Sequence, residues 1–252
     1  MLRRVLSFRF IVLALASLAI VPIAHAQTHQ PDMDARLLLA SPNTIDTDPT
    51  LLAYMTTLAE PAYRTHCASC HGEDFAGRDG IPNLADYDWL WGITGAEPTA
   101  SEPVFEIMQT ILYGIRDRNC PDDVKRYGAC PDTRYSEMPA YKELGFTDAQ
   151  IDDLVQYVLM LSGQDFDAGA VERAASNSGL CAECHAPDGY GYKPFGGPDL
   201  TDSVWLYGGT PQAIRASIAE GRLGVCPPWA GTLDAATIKA LAVHLYRKSQ
   251  GY

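Results

Sequence analysis

The sequence predicts a helical protein in which one chain of 252 residues contains two similar units. The segments "IPNLADYDWLWG" (81–92) and "GPDLTDSVWLYG" (197–208) align without gaps at an offset of 116 residues, which indicates an internal repeat. Residues 147–161 and 234–248 both have the apolar spacing of an amphipathic helix, with Ile and Leu three positions apart in each. Two copies of one short cysteine motif complete the pattern.

The cysteine motif is Cys-x-x-Cys-His, which is the attachment pattern of c-type haem. Two thiols on one helical turn can form thioethers to one porphyrin, and the histidine that follows is presented to the iron as proximal ligand. A zinc site or a thioredoxin-like redox pair is the alternative, but both leave the histidines unexplained. The two copies comprise Cys67, Cys70, His71, Cys181, Cys184 and His185.

Shorter correspondences extend the repeat to the end of each unit. "YGIR" (113–116) corresponds to "EGR" (220–222), and "MPAY" (138–141) corresponds to "CPPW" (226–229). Each unit therefore contains, in order, the cysteine motif, a Pro-x-Leu loop, a middle helix, a ligand loop and a terminal helix.

The amino terminus predicts export. A basic start is followed by an apolar run and Ala24-His25-Ala26, so residues 1–26 are predicted to be a signal peptide cut before Gln27. An uncleaved anchor is the alternative, although an apolar run of about 15 residues is short of the ~20 that a spanning helix needs. Residues 27–48 are expected to form an N-terminal arm.

The charge balance makes nucleic acid an unsuitable partner. Cleavage would remove three of the 19 basic residues and no acidic one, leaving 16 against 31, a formal net charge of −15. Phosphate binding needs a basic surface, which this composition does not supply. An acidic surface can instead steer basic protein partners, or it can simply maintain solubility.

Together the motifs resemble the class I cytochrome c fold, a small all-α wrap around one haem, present twice. The stretches "YGIR", "SEMPAY" and "LVQYVLMLSG", and their counterparts in the second half, resemble the dihaem subunit of cbb-type haem–copper oxidases over about residues 55–250. The resemblance implies tandem cytochrome c domains, expected here over 49–165 and 166–252, and two covalently attached haem c groups.

The resemblance also implies roles for residues outside the cysteine motifs. The carbonyls of Pro82 and Pro198 are expected to accept the Nδ1 proton of the two histidines, which orients each ring. Trp89 and Trp205 are expected either to cover haem propionates or to serve as core aromatics. Arg116 and Arg222 are candidates to pair with propionates, because a guanidinium suits a carboxylate.

The sixth ligands are expected from the ligand loops. Met138 is predicted to complete the first haem with His71, and Cys226 to complete the second with His185, since no methionine follows the second cysteine motif. A buried thiol beside a five-coordinate haem is the alternative for Cys226, as is a disulfide to Cys120 or Cys130.

Residues 117–133 interrupt the resemblance with an insertion. Its cysteines, Cys120 and Cys130, are flanked by prolines in a chain predicted to be exported, so a disulfide between them is expected.

These observations predict a periplasmic dihaem cytochrome that relays single electrons between redox partners, to or within a respiratory oxidase system. A dihaem enzyme that oxidises or reduces a small inorganic sulfur substrate at a His/Cys-ligated haem is the alternative, and a haem-based sensor is a third. The sequence shows no Ser/His/Asp or paired-carboxylate arrangement beside the haem motifs.

Overall fold

A computed structural model describes residues 29–92, 101–120 and 130–251. The predicted signal peptide lies outside the described residues. No helix in the described ranges is both long and apolar enough to cross a membrane. Within these ranges the protein is all-α, which confirms the predicted fold class, and its β-type pairing is limited to isolated bridges. The helices are α1 (Pro31–Leu39), α2 (Pro42–Thr47), α3 (Pro49–His66), α4 (Ala68–His71), α5 (Ser101–Tyr113), α6 (Asp148–Leu161), α7 (Ala168–Ala174), α8 (Gly179–His185), α9 (Pro211–Glu220) and α10 (Ala235–Ser249).

Side-chain caps fix where the long helices begin. Asp48 accepts hydrogen bonds from the first-turn amides of α3, and Pro49 stands at the first helical position. Thr147 and Gln150 form a reciprocal capping box at the start of α6. Asp234 caps α10 by accepting from the Thr237 amide. These caps satisfy amides that have no partner inside the helix.

The first packed unit is built where α10 lies against α3 and α5. Its core contains fully buried side chains from early and late parts of the chain, including Leu58, Tyr63, Ile238 and Leu241. Removal of this apolar surface from water is the main stabilising contribution to such a core.

The N-terminal arm belongs to the same unit. It forms α1 and α2, whose side chains Leu37 and Ile45 are fully buried in the first core. Arg247 of α10 forms an ion pair with Asp46. The arm is therefore a docked part of the fold.

The second packed unit is built where α6 lies against α7 and α9. Ile151 and Leu154 of α6 are fully buried, with Ala174 of α7 and Ile214 of α9 in the same core. Residues 138–220 supply this core without a contribution from α10.

The two packed units differ from the expected domains 49–165 and 166–252 in the placement of one helix each. The terminal helix of the first half, α6, packs in the second unit, and the terminal helix of the second half, α10, packs in the first. The expected boundaries assumed that each repeat closes on itself. Because α6 and α10 have the same apolar spacing, the pattern alone does not distinguish the two arrangements.

Candidate haem sites

The first cysteine motif lies at the junction of two helices. Cys67 ends α3, and α4 presents His71 half-buried at its last position. His71 Nδ1 lies 3.0 Å from the carbonyl oxygen of Pro82. A carbonyl can only accept, so Nδ1 carries the proton and Nε2 is left for a metal. Burial lowers the pKa of His71, which favours the neutral ring that a metal needs.

The second motif repeats this geometry. His185 stands at the end of α8, and its Nδ1 lies 2.9 Å from the carbonyl oxygen of Pro198. Burial lowers the pKa of this ring as well. The structure therefore places both prolines where the resemblance implied.

Two glycines allow the chain to turn back after each motif so that the proline carbonyl reaches the histidine. Neither glycine was identified as a site residue from the sequence. Gly77 and Gly191 each follow a motif histidine by six residues, and their amides donate to the histidine carbonyls at 2.9 Å. Both have positive φ, and a Cβ on either would lie 3 Å or less from the backbone of the returning proline segment. Their equal spacing from the two motifs is the signal that could have identified them.

Met138 lies with the second motif. Its segment pairs with the end of α9, where the Met138 amide donates to Arg222 at 3.2 Å and the Arg222 amide donates back at 3.0 Å. Three residues later, the Tyr141 hydroxyl lies 3.7 Å from Cys181 Sγ. Met138 and Cys181 both pack against the second core.

Cys226 lies with the first motif. Its segment pairs with the end of α5, where Ile115 and Cys226 exchange amide–carbonyl hydrogen bonds of 2.8 and 3.1 Å. The ring of Trp229 lies 4.6 Å from that of His66, the residue before Cys67. Burial raises the pKa of the Cys226 thiol to about 11, and the nearby Cys70 adds to the rise.

The structure thus places the two members of each expected ligand pair in different units. It brings Met138 to the unit that holds His185, and Cys226 to the unit that holds His71. The physical reason is that α6 packs in the second unit and α10 in the first. Each ligand loop precedes one of these helices and is placed in the same unit as that helix.

Trp89 provides a test of whether a haem fits the first site. Its indole nitrogen is buried and has no hydrogen-bond partner among the described residues. Buried donors are nearly always paired, so this orphan fits an additional acceptor such as a haem carboxylate. Trp205 packs on the second core and lies against Gly209, where an added Cβ would be 2.7 Å from the indole ring. The donor set, two thiols and an oriented histidine in each unit, fits a covalent haem.

The two arginines have protein partners in this structure. Arg116 donates from Nε to the Ser136 carbonyl and from a terminal nitrogen to the Gly224 carbonyl. Arg222 stacks on Tyr207, with the guanidinium carbon 4.5 Å from the ring centroid. Pairing of either arginine with a propionate stays a prediction.

Cys120 and Cys130 form the expected disulfide, with their Cα atoms 5.8 Å apart. This confirms the predicted pairing and removes the alternative in which Cys226 bonds to either of them. The sulfur of Cys226 is free.

Comparison with known proteins identifies the family. Residues 56–158 and 168–245 match the family described as cytochrome c oxidase, cbb3-type, subunit III. The cbb3-type cytochrome c oxidase subunit CcoP of Cereibacter sphaeroides is 40% identical over 204 residues, covering 80% of this chain and 64% of that protein. Subunit FixP of Bradyrhizobium sp. strain ORS 278 is 35% identical over 236 residues, covering 92% of this chain and 74% of that protein.

These matches confirm the resemblance seen in the sequence, and the chain spans about two thirds of the length of the Cereibacter subunit. The members are dihaem c-type cytochromes, so the cofactors are two covalently attached haem c groups. The chain belongs to the family of subunit III of the cbb3-type cytochrome c oxidases.

Proposed function

We propose that this protein relays single electrons between redox partners through its two haems. The observation that carries the proposal is the pair of equivalent sites, each with two attachment thiols and a histidine oriented by a proline carbonyl. A bound haem supplies a one-electron couple between ferric and ferrous iron. The chain contributes the attachment, the ligands and the surroundings that set the potential.

The cysteines and histidines have separate tasks at each site. The thiols hold the haem covalently, and the histidines serve as proximal ligands through Nε2. Pro82 and Pro198 keep each ring in one orientation and one tautomer, which raises ligand basicity. Met138 and Cys226 are the candidate sulfur ligands for the opposite faces.

Contacts between the two units support transfer within the chain. The Gly80 amide donates to the Leu206 carbonyl at 2.9 Å, which joins the loop after the first motif to the loop after the second. Trp91 lies so close to Gly196 that a Cβ there would be 2.4 Å from the indole ring. The loops that carry Trp89 and Trp205 are therefore in direct contact, and the two haem sites form one continuous body.

The proposed setting is the periplasm, with a membrane oxidase as the partner. The relatives are named as subunits of cbb3-type oxidases, and the amino terminus predicts export. The acidic composition suits a redox donor with a basic docking face, whose association should weaken as salt is added.

A small-substrate enzyme is the second candidate function, and the position of Cys226 favours it. A free thiol beside an attachment motif can ligate a haem that acts on an inorganic sulfur compound. This candidate differs from the relay in requiring turnover without a protein acceptor.

Three measurements on the full chain test the relay. Acid–acetone extraction should leave haem on the polypeptide, with a mass increase of two haems. The chain, chemically reduced, should then be reoxidised by a cbb3-type oxidase that lacks its own third subunit, at a rate that falls with ionic strength. Neither protein alone should consume thiosulfate or sulfite. A chain without covalent haem, or one that the oxidase leaves reduced, would overturn the relay, and thiosulfate-dependent reduction would establish the enzyme.

A further inference from the structure

The two ligand loops make equivalent backbone contacts, one in each packed unit. "MPAY" lies against Gly221 and Arg222 at the end of α9, whereas "CPPW" lies against Gly114 and Ile115 at the end of α5. At both positions the first residue of the loop exchanges two backbone hydrogen bonds with the residue that follows the glycine. Cys226 therefore takes in the first unit the place that Met138 takes in the second.

The surroundings of the Cys226 sulfur point to the first cysteine motif. The following Trp229 packs on the first core and against His66, next to Cys67. The hydrogen bonds to Ile115 and the ring contact with His66 both bring the loop that carries Cys226 to the first unit.

The protein itself offers this sulfur little else to bind. Cys120 and Cys130 are bonded to each other, and the remaining cysteines belong to the attachment motifs. Among the described residues its one hydrogen-bond contact is the carbonyl of the adjacent Pro227, at a long 3.9 Å. A half-buried thiol with so weak a partner is available to a metal.

We propose that Cys226 is the sixth ligand of the haem attached to Cys67 and Cys70, opposite His71. Met138 then fills the same position at the other haem, opposite His185. The inference rests on the proposed function, since it assumes the haems of the relay. A thiolate is anionic and stabilises ferric iron, whereas a neutral thioether favours ferrous iron. The first haem is therefore the low-potential centre, and an electron passes downhill from the first unit to the second.

The test tags one haem at a time. Cys67→Ser leaves the first haem on a single thioether, and its unsaturated vinyl group moves the α band of that haem alone to longer wavelength. Cys181→Ser is the matched tag for the second haem. Redox titration of each tagged protein, with and without Cys226→Met, then reports the midpoint potential of an identified haem. Electron paramagnetic resonance of oxidised Cys226→Met and Cys226→Ala, with both thioethers intact, needs no tag.

In the Cys67→Ser background the shifted band identifies the first haem, and Cys226→Met should raise the midpoint potential of that haem. In the Cys181→Ser background the shifted band identifies the second haem, whose midpoint potential Cys226→Met should leave unchanged. The low-spin thiolate resonance of the oxidised protein should be lost in both Cys226 variants. A rise in the Cys181→Ser band instead would place Cys226 at the second haem, and unchanged potentials with an unchanged resonance would show that it is no ligand. If either of these two results is obtained while both haems are covalently bound and electron relay is intact, this inference alone is overturned. Loss of the covalent haems would overturn the proposed function instead.

Discussion

The exchange of ligand loops makes Gly221 a sensitive position. Gly221 has φ +72°, and a Cβ there would lie 2.5 Å from the Met138 carbonyl oxygen and 2.8 Å from the Ala140 amide nitrogen. Gly221→Ala should therefore both strain its own backbone and push the Met138 segment away from α9. Without the exchange, the Met138 segment would lie on Gly114 and the change would leave it undisturbed.

The expected cost has two parts. Gly221 has φ +72° and ψ 176°, a backbone region that essentially only glycine adopts, and forcing an alanine into it costs about 1–3 kcal/mol. The steric overlap with fixed backbone atoms adds about 1–3 kcal/mol, so Gly221→Ala should lower the free energy of unfolding by about 2–6 kcal/mol. Gly163→Ala is the matched control, because Gly163 has φ +68° with no atom within 4 Å of an added Cβ. It should cost about 1–2 kcal/mol, from the backbone alone.

Denaturant unfolding of the holoprotein measures both losses, and the weak near-infrared band of methionine-ligated ferric haem reports on Met138. The band should weaken in Gly221→Ala and persist in Gly163→Ala and Gly114→Ala. If Gly221→Ala loses no more stability than Gly163→Ala, within about 0.5 kcal/mol, or if Gly114→Ala is the variant that loses the band, the exchanged arrangement is refuted.

Three further outcomes are expected. Arg116→Gln should lower the free energy of unfolding by about 1–3 kcal/mol. The half-buried guanidinium donates to the carbonyls two residues before Met138 and two residues before Cys226, and these hydrogen bonds would be lost. Chemical denaturation measures the loss, and an unchanged midpoint would contradict the contact. Replacing both Cys120 and Cys130 by serine should cost about 2–3 kcal/mol by releasing a short loop, and reduction of the native protein by dithiothreitol should reproduce that loss. Burial lowers the pKa of His244, Lys248 lowers it further and Glu60 opposes them, so its contribution to stability is present above the ordinary value of 6.5 and is lost as the pH falls below it. His244→Gln should therefore flatten the pH dependence of unfolding between about pH 7 and pH 5, and an unaltered slope would argue against a neutral buried ring.

The candidate haem-binding residues could be identified from the sequence because their chemistry is local. Two thiols and a histidine within five positions of one helical turn face one porphyrin in any fold that keeps the turn. The return of Pro82 to His71 is also short in sequence, 11 residues, and its counterpart spans 13. The internal repeat then allowed the second site to be inferred from the first. It also allowed the two amphipathic helices to be recognised as a pair.

The partners of the two ligand loops could not be predicted in the same way. Met138 follows the first motif and Cys226 the second, so the order of the chain favoured ligand pairs whose members the structure places in different units. The ends of α5 and α9 each present a glycine with positive φ followed by a residue that pairs with a ligand loop, so the backbone pattern is the same at both sites. Local sequence therefore carries no information on which loop goes where.

The sequence by itself determined the candidate haem sites, the helical repeat, the disulfide and the sulfur-bearing residues of the two ligand loops, because each depends on residues close together in the chain. Only the tertiary structure decided that α10 closes the first core, that α6 closes the second, and that Cys226 and Met138 change places accordingly. Those choices compare the packing of two similar apolar faces between segments far apart in the chain, and that free-energy difference is a property of the whole folded chain.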